Sequence, residues 1–240
     1  MRLLRVKLHQ ALANYRKPMN YGFVDTYPLP PFSTVKGWFH YVIEATEYRP
    51  LNMCIQGSVP TVFMDLQTMI KFDRIRDNKK KNVTDPRPRL EGFKRAFSTS
   101  PTYVANIFEN DLTIYFQSDQ KLLDRFEENI LVVDFPSMGR REDLVRIDDV
   151  RFVDLEERTF TGRNYHKIDH GIYLNRETAN ATGIEGINYR MNFKYRIVEG
   201  LRYFDKKDIV YVDTGIIDNA SFFYDTEENN IVEMIGDYAQ

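Results

Sequence analysis

The sequence predicts an α+β fold: a ferredoxin-like βαββαβ body with an inserted basic hairpin, followed by an antiparallel β module. Three observations predict it. Strand and helix periodicities alternate in the order strand, helix, strand, strand, helix, strand; a highly charged segment interrupts that order; and helical periodicity disappears beyond about Arg158. On this division residues 1–157 form the body and 158–240 the β-rich module.

Residues Leu3 to Ala13 alternate like a strand, and the next stretch, NYRKPMNYGFVDTYPLPPF, holds four prolines that forbid a continuous helix. Ser33 and Thr34 are good N-caps, and Val35, Trp38, Phe39, Val42 and Ile43 follow at helical spacing, so a first helix is expected from Thr34 to Tyr48. Trp38 belongs to its core-facing stripe. From Met53 to Phe72 two strands are separated by a break at Pro60. The run TYVANIFENDLTIYF suggests a hairpin turning at Glu109-Asn110-Asp111. Ser118 and Asp119 then cap a second helix whose stripe is Leu122, Leu123, Phe126 and Ile130. The punctuated PSMGRREDL leads into the strand-like VRIDDVRFVDLEE, and after it come INYRMNFKYRIV, LRYF, DIVYVDTGII, ASFFYD and NIVEMI, which read as short strands.

Composition narrows the function classes. The chain of 240 residues can bury its own core, and a single cysteine, Cys54, excludes an intrachain disulfide framework and a cysteine zinc cluster, so a reducing cytoplasm is expected. Apolar stretches in MRLLRVKLHQALANYRKP are too short and too charged for a signal peptide or a membrane span, and no membrane association is expected. Most of the 15 Tyr and 17 Phe are expected in the core. Formal net charge is only -2, so any case for a polyanionic partner rests on distribution.

That distribution is uneven. Between Lys71 and Arg95 ten basic side chains face four acidic ones, a net +6, which leaves -8 for the remainder. A solvated loop is the plain reading of a charge run. Against it stand the segment's length, several arginines able to bind phosphate through two bonds, and the flanking rings Phe72, Phe93 and Phe97. Arg74, Arg76, Lys79, Lys80 and Lys81 are its candidate RNA contacts. Two smaller clusters join them: Tyr15, Arg16 and Lys17 after the first strand, and Arg140 with Arg141 beside Gly139 in a turn.

Three segments together resemble a known family: Ala13 to Pro18 (ANYRKP), Tyr27 to Gly37 (YPLPPFSTVKG) and Met138 to Leu144 (MGRREDL). They are similar to the Cas five family of CRISPR-associated proteins, of the RAMP superfamily, and in particular to its type I-B members. The resemblance implies an RRM-like body with a thumb hairpin at about 68–101, gripping the 5′ handle of CRISPR RNA and capping one end of a Cascade complex. Implied partners are the repeated backbone subunit and the large subunit, with target DNA contacted indirectly. Ser33, Thr34 and Lys36 at the helix start, with Arg140 and Arg141, would hold the handle.

Two other functions compete. Type I-C relatives cut precursor RNA without metal, which needs an acid/base pair and a cation near one phosphate. Tyr48 lies near the family nuclease's tyrosine, but no Lys or His occurs between Ser98 and Gln117; Tyr165-His166-Lys167 with His170 is the other cluster, read as a surface or RNA-contacting cluster. No catalysis is expected. His9 and His40 are expected to be structural. The remaining alternative is an interaction protein whose basic hairpin docks an acidic partner. No cofactor and no metal is expected, since Asp148-Asp149 and Glu156-Glu157 point to opposite strand faces and Glu142-Asp143 suits the preceding arginines.

Overall fold

The computed structural model describes residues 1–18, 22–76, 84–89 and 95–239. In chain order its elements are β1 (Arg2–Ala13), β2 (Phe23–Val24), α1 (Phe32–Val42), β3 (Asn52–Ser58), β4 (Thr61–Arg74), β5 (Arg95–Gln117), α2 (Gln120–Ile130) and β6 (Arg146–Asp154). Then follow β7 (Glu156–Ile168), β8 (Gly171–Asn175), α3 (Arg176–Thr182), β9 (Ile187–Val198), β10 (Leu201–Val212), β11 (Gly215–Asp225), β12 (Asn230–Val232) and β13 (Ile235–Gly236).

The body has the expected topology. Its strands lie in the order β6-β1-β5-β3, all antiparallel, which is fourth, first, third, second in a βαββαβ unit. The same sheet continues through β8, β10 and β9, whereas β7, β11 and β12 form a separate three-stranded sheet. Residues 158–240 therefore supply strands to both sheets. No helix among the described residues is long and apolar enough to cross a membrane.

Strand β1 shows why there are two sheets. Leu4, Val6 and Leu8 bury against Val35, Phe39, Leu123 and Phe126 of the helices, and Leu3 on the opposite face buries with Cys54, Tyr115, Phe160 and Tyr224. The small sheet thus covers the face that the helices leave, because that face too is apolar and its burial is favourable.

Three expected boundaries move. Glu109-Asn110-Asp111 makes no hairpin turn, since β1 runs alongside and pairs Gln10 with Asn110 and His9 with Asp111, while Glu109 at φ +54° bends one continuous strand. The hairpin is made instead by β4 and β5, paired from Thr61 with Phe108 to Arg74 with Arg95. Helix α1 starts at Phe32, with Pro31 at the cap position, and stops at Val42, where Glu44 at φ +51° turns the chain and Ala45 N–H donates to the His40 carbonyl. Ser33 and Thr34 thus stand in the first turn and do not cap it. Helix α3 was not foreseen; it is seven residues long, buries only Ala179, and ends at Gly183 in a left-handed conformation.

Candidate nucleic-acid interface

The loop after α2 is built around Asp143. This carboxylate, 1% exposed, accepts the Arg140 backbone N–H at 2.8 Å, its Nε–H at 3.0 Å, its Nη2–H at 2.6 Å and the Asn14 N–H at 3.0 Å. Gln10 Nε2 donates to the Met138 and Asp143 carbonyls at 2.9 and 3.1 Å, tying the loop to β1. Gly139 sits at φ +111°, and a Cβ there would come within 2.8 Å of the Asp143 carboxylate, so the sharp approach requires glycine.

This construction reassigns two predicted contacts. Arg140 was expected to grip phosphate, yet it is spent on Asp143 and on Asn106 Oδ1 at 3.0 Å. Tyr15 was expected beside RNA, yet its ring is 1% exposed; its hydroxyl donates to Gln10 Oε1 and accepts from Asn110 at 2.8 Å, which leaves no face for a base. Arg16 is exposed in a short bridge to Thr26, and Lys17 donates to Asp25 at 2.8 Å.

Arg141, the neighbour of Arg140, is different. It is exposed and makes no hydrogen bond or ion pair among the described residues. It lines a cavity of about 690 Å³ together with Ser33, Thr34, Gly139, Tyr41 and Phe135. Two segments roughly a hundred residues apart in sequence thus meet at one opening. Trp38 lies beside it too, and its buried indole N–H has no partner among the described residues. Hydroxyls, a spare N–H donor, a free guanidinium and two exposed rings make a surface suited to a nucleotide.

Lys36 faces away from that opening, into a second cavity of about 940 Å³. It is 5% exposed, its ammonium donates to the Tyr48 hydroxyl at 2.9 Å and lies 3.3 Å from the Phe193 ring centre, with Asp237 at 3.9 Å. Burial, with repulsion from Lys194 and Lys207, brings its pKa down to about 7 despite Asp237. Tyr48 also donates to Asp237, and burial with that bond raises its pKa far above the usual phenol range. Sequence reasoning missed Phe193, Lys194 and Asp237. The first two sit in a run that reads as a plain strand, and nothing local marks the third.

On the hairpin, Lys79, Lys80 and Lys81 lie outside the described residues, and Arg74 and Arg76 are exposed without lining either cavity. Asp73 binds Arg76 at 2.6 Å and Arg87 at 3.0 Å, and Asp85 binds Arg87 at 2.6 Å, so part of the positive charge is neutralised within the hairpin. One ribbon face is apolar: Val62, Met64, Leu66, Ile70 and Phe72 alternate along β4, all exposed, beside Tyr103.

The histidine cluster is split, with Tyr165 and Lys167 exposed and the histidines turned inward. His166 is buried between Phe160 and Tyr224, and His170 is held by Gln56 and Asp169 at 2.8 and 3.0 Å. His9 pairs with Asp111 at 2.7 Å, while His40 bridges the Lys36 carbonyl and the Arg49 N–H at the end of α1.

A family model described as CRISPR-associated protein (Cas_Cas5) matches residues 3–199, which include all three motif segments. No curated protein matches the chain. Among solved structures, a chain described as "CRISPR RNA-guided surveillance complex" superposes with a TM-score of 0.54 at 14% identity, over 88% of this chain and 90% of that one. A CRISPR protein from Archaeoglobus fulgidus superposes with a TM-score of 0.45 at 11% identity over the whole of both chains. The first likeness shows a shared, mostly β, α+β fold. With residues 3–199 of 240 covered by the family model, the chain belongs to the Cas5 family of CRISPR-associated proteins.

Proposed function

We propose that this protein binds the 5′ handle of CRISPR RNA and caps one end of a type I Cascade surveillance complex, of the I-B kind, in the cytoplasm. The observation that carries the reading is the meeting of Ser33 and Thr34 with Gly139 and Arg141 at one cavity, where Arg141 has no partner among the described residues. Likeness to a chain described as a CRISPR RNA-guided surveillance complex supports it. The apolar face of the β4–β5 hairpin suits a thumb that docks on the backbone subunit, with the large subunit and target DNA beyond. An acidic protein partner for the hairpin is less favoured, because Asp73 and Asp85 already occupy Arg76 and Arg87.

The test is equilibrium binding of single-stranded repeat RNA. Arg141→Ala is expected to weaken binding roughly 10- to 100-fold, as loss of one charge-assisted contact does, and to lower the salt slope by about 0.7. Unchanged affinity and slope would sink the reading.

The subunit is proposed to hold RNA without cutting it. Support comes from the Tyr48 hydroxyl, engaged by Lys36 and Asp237 with its pKa raised, and from His166, buried away from solvent. Specific cleavage of repeat RNA in chelator, lost in Tyr48→Phe, would overturn this.

A further inference from the structure

The two cavities share a boundary. Ser33, Gly37 and Tyr41 line both. These residues stand four apart on α1 and so form one ridge along the helix. The middle member has no side chain, and a Cβ built there would meet nothing within 4 Å. The ridge is therefore a saddle over which an extended strand can pass.

Beyond the saddle the larger cavity carries what a nucleotide needs. Tyr195 and Phe204 offer exposed rings, and the Arg202 guanidinium lies 4.6 Å from the Tyr195 ring centre. Lys36 and Lys194 bring cations to the floor. A lysine is almost never this buried without a partner. Here the shared partner is Asp237, 3.1 Å from Lys194 and 3.9 Å from Lys36. Glu44 and Glu47 also line the cavity, Glu44 drawn off by Arg125 at 2.7 Å. Asp237 comes from a segment pinned to β3, where Tyr238 N–H donates to Asn52 Oδ1 at 2.9 Å.

We propose that this cavity is a second nucleotide pocket for single-stranded RNA, continuous with the first across Gly37, in which the Asp237 carboxylate holds the place of the nucleotide's phosphate between Lys36 and Lys194. The proposal rests on the RNA-binding reading above. RNA then competes with a carboxylate supplied by the protein itself. Neutralising that carboxylate strengthens binding, and removing the rings weakens it.

The chain's single tryptophan makes the two pockets separable, because Trp38 lines the first cavity and not the second. The full chain is titrated with an RNA dinucleotide and an RNA hexanucleotide, following Trp38 fluorescence and the anisotropy of labelled RNA. The hexanucleotide is expected to bind roughly 10-fold or more tightly than the dinucleotide, the gain one stacked base gives. Tyr195→Ala with Phe204→Ala should abolish that gain and leave the Trp38 response intact. Asp237→Asn, which keeps shape, should tighten hexanucleotide binding about 3- to 10-fold by freeing the phosphate's place beside Lys194 of a competing negative charge, with the dinucleotide unaffected. Circular dichroism checks that each variant is folded. A hexanucleotide gain untouched by both variants overturns the second pocket while leaving the first. A silent Trp38 with hexanucleotide affinity still governed by Asp237 and Phe204 supports the second pocket and overturns the first. No binding of either oligonucleotide overturns both.

Discussion

Arg140 donates four of the five hydrogen bonds that the buried Asp143 carboxylate accepts, so these two residues together make the loop that presents Arg141. Asp143→Ala strips that loop of its anchor and leaves a half-buried guanidinium with only Asn106 and the exposed Glu142 carboxylate, 3.4 Å away, to face. Stability is expected to fall by about 3–5 kcal/mol, the usual cost of removing one partner of a buried pair, measured as a urea midpoint. Arg141→Ala should leave the midpoint unchanged, since an exposed unpaired side chain contributes little to folding. Equal destabilisation by both variants would contradict this division of labour.

Arg5 plays a comparable part between the sheets. It is buried on β1 and donates to Asp225 of β11 and to Glu227, each at 2.7 Å, and Tyr115 donates to the same Asp225 carboxylate at 2.9 Å. Burial alone would raise the Asp225 pKa, but the bonds from Arg5 and Tyr115 outweigh it and hold the value below the ordinary aspartate range. A depressed carboxylate contributes stability that is present above its unfolded pKa of about 3.9 and lost as pH falls through the folded value. Arg5→Met is expected to lower stability by roughly 3 kcal/mol or more at pH 7. The difference from wild type should shrink as pH falls below the unfolded value of about 3.9 and Asp225 protonates; urea midpoints at pH 7 and in acid give the comparison.

Sequence periodicity reported local packing well. Of the α2 stripe, Leu123, Phe126 and Ile130 are buried and Leu122 is half-buried, and β9 spans the run INYRMNFKYRIV. What it could not report was pairing at a distance. Glu109 to Asp111 carry turn residues, and only β1, a hundred residues earlier, turns them into the middle of a strand. The motif segments were legible as segments. Which arginine of Arg140 and Arg141 stays free depends on Asp143 and Asn14, and the setting of Lys36 depends on Asp237, two hundred residues away. Such contacts leave no mark on either local pattern.

His166 gives the small sheet a pH dependence. Its ring is 6% exposed between Phe160 and Tyr224, and Nε2 has no partner among the described residues. Burial, with repulsion from His170, lowers its pKa below 6.5. The unfolded state then binds more protons as pH drops, so this contribution is full above about pH 6.5 and is lost on acidification toward the folded value. His166→Phe is expected to flatten the stability profile between pH 7 and 5. An equally steep decline in that variant would assign the acid sensitivity elsewhere.

Lys36 works in the opposite range. Its folded pKa of about 7 lies well below the ordinary lysine value of 10.5, so the amine is losing its proton near neutrality. The other titratable and charged groups facing it are Lys194, Lys207, Asp237, Tyr48 and His40. Tyr48 is raised far above this range, and Asp237 and His40 are lowered beneath it. A phosphate favours the protonated amine, so binding RNA draws a proton onto Lys36, and affinity must fall as pH rises through 7. Hexanucleotide binding is expected to be about 3- to 10-fold weaker at pH 8.5 than at 6.5. Calorimetry in two buffers of different ionisation enthalpy should register proton uptake at pH 7.5. Lys36→Met should remove both effects, whereas stability of the unbound protein should rise with pH from 7 toward 10 in the wild type alone, because there only the unfolded chain keeps the proton. A pH-independent affinity in the wild type would mean that no phosphate reaches the amine.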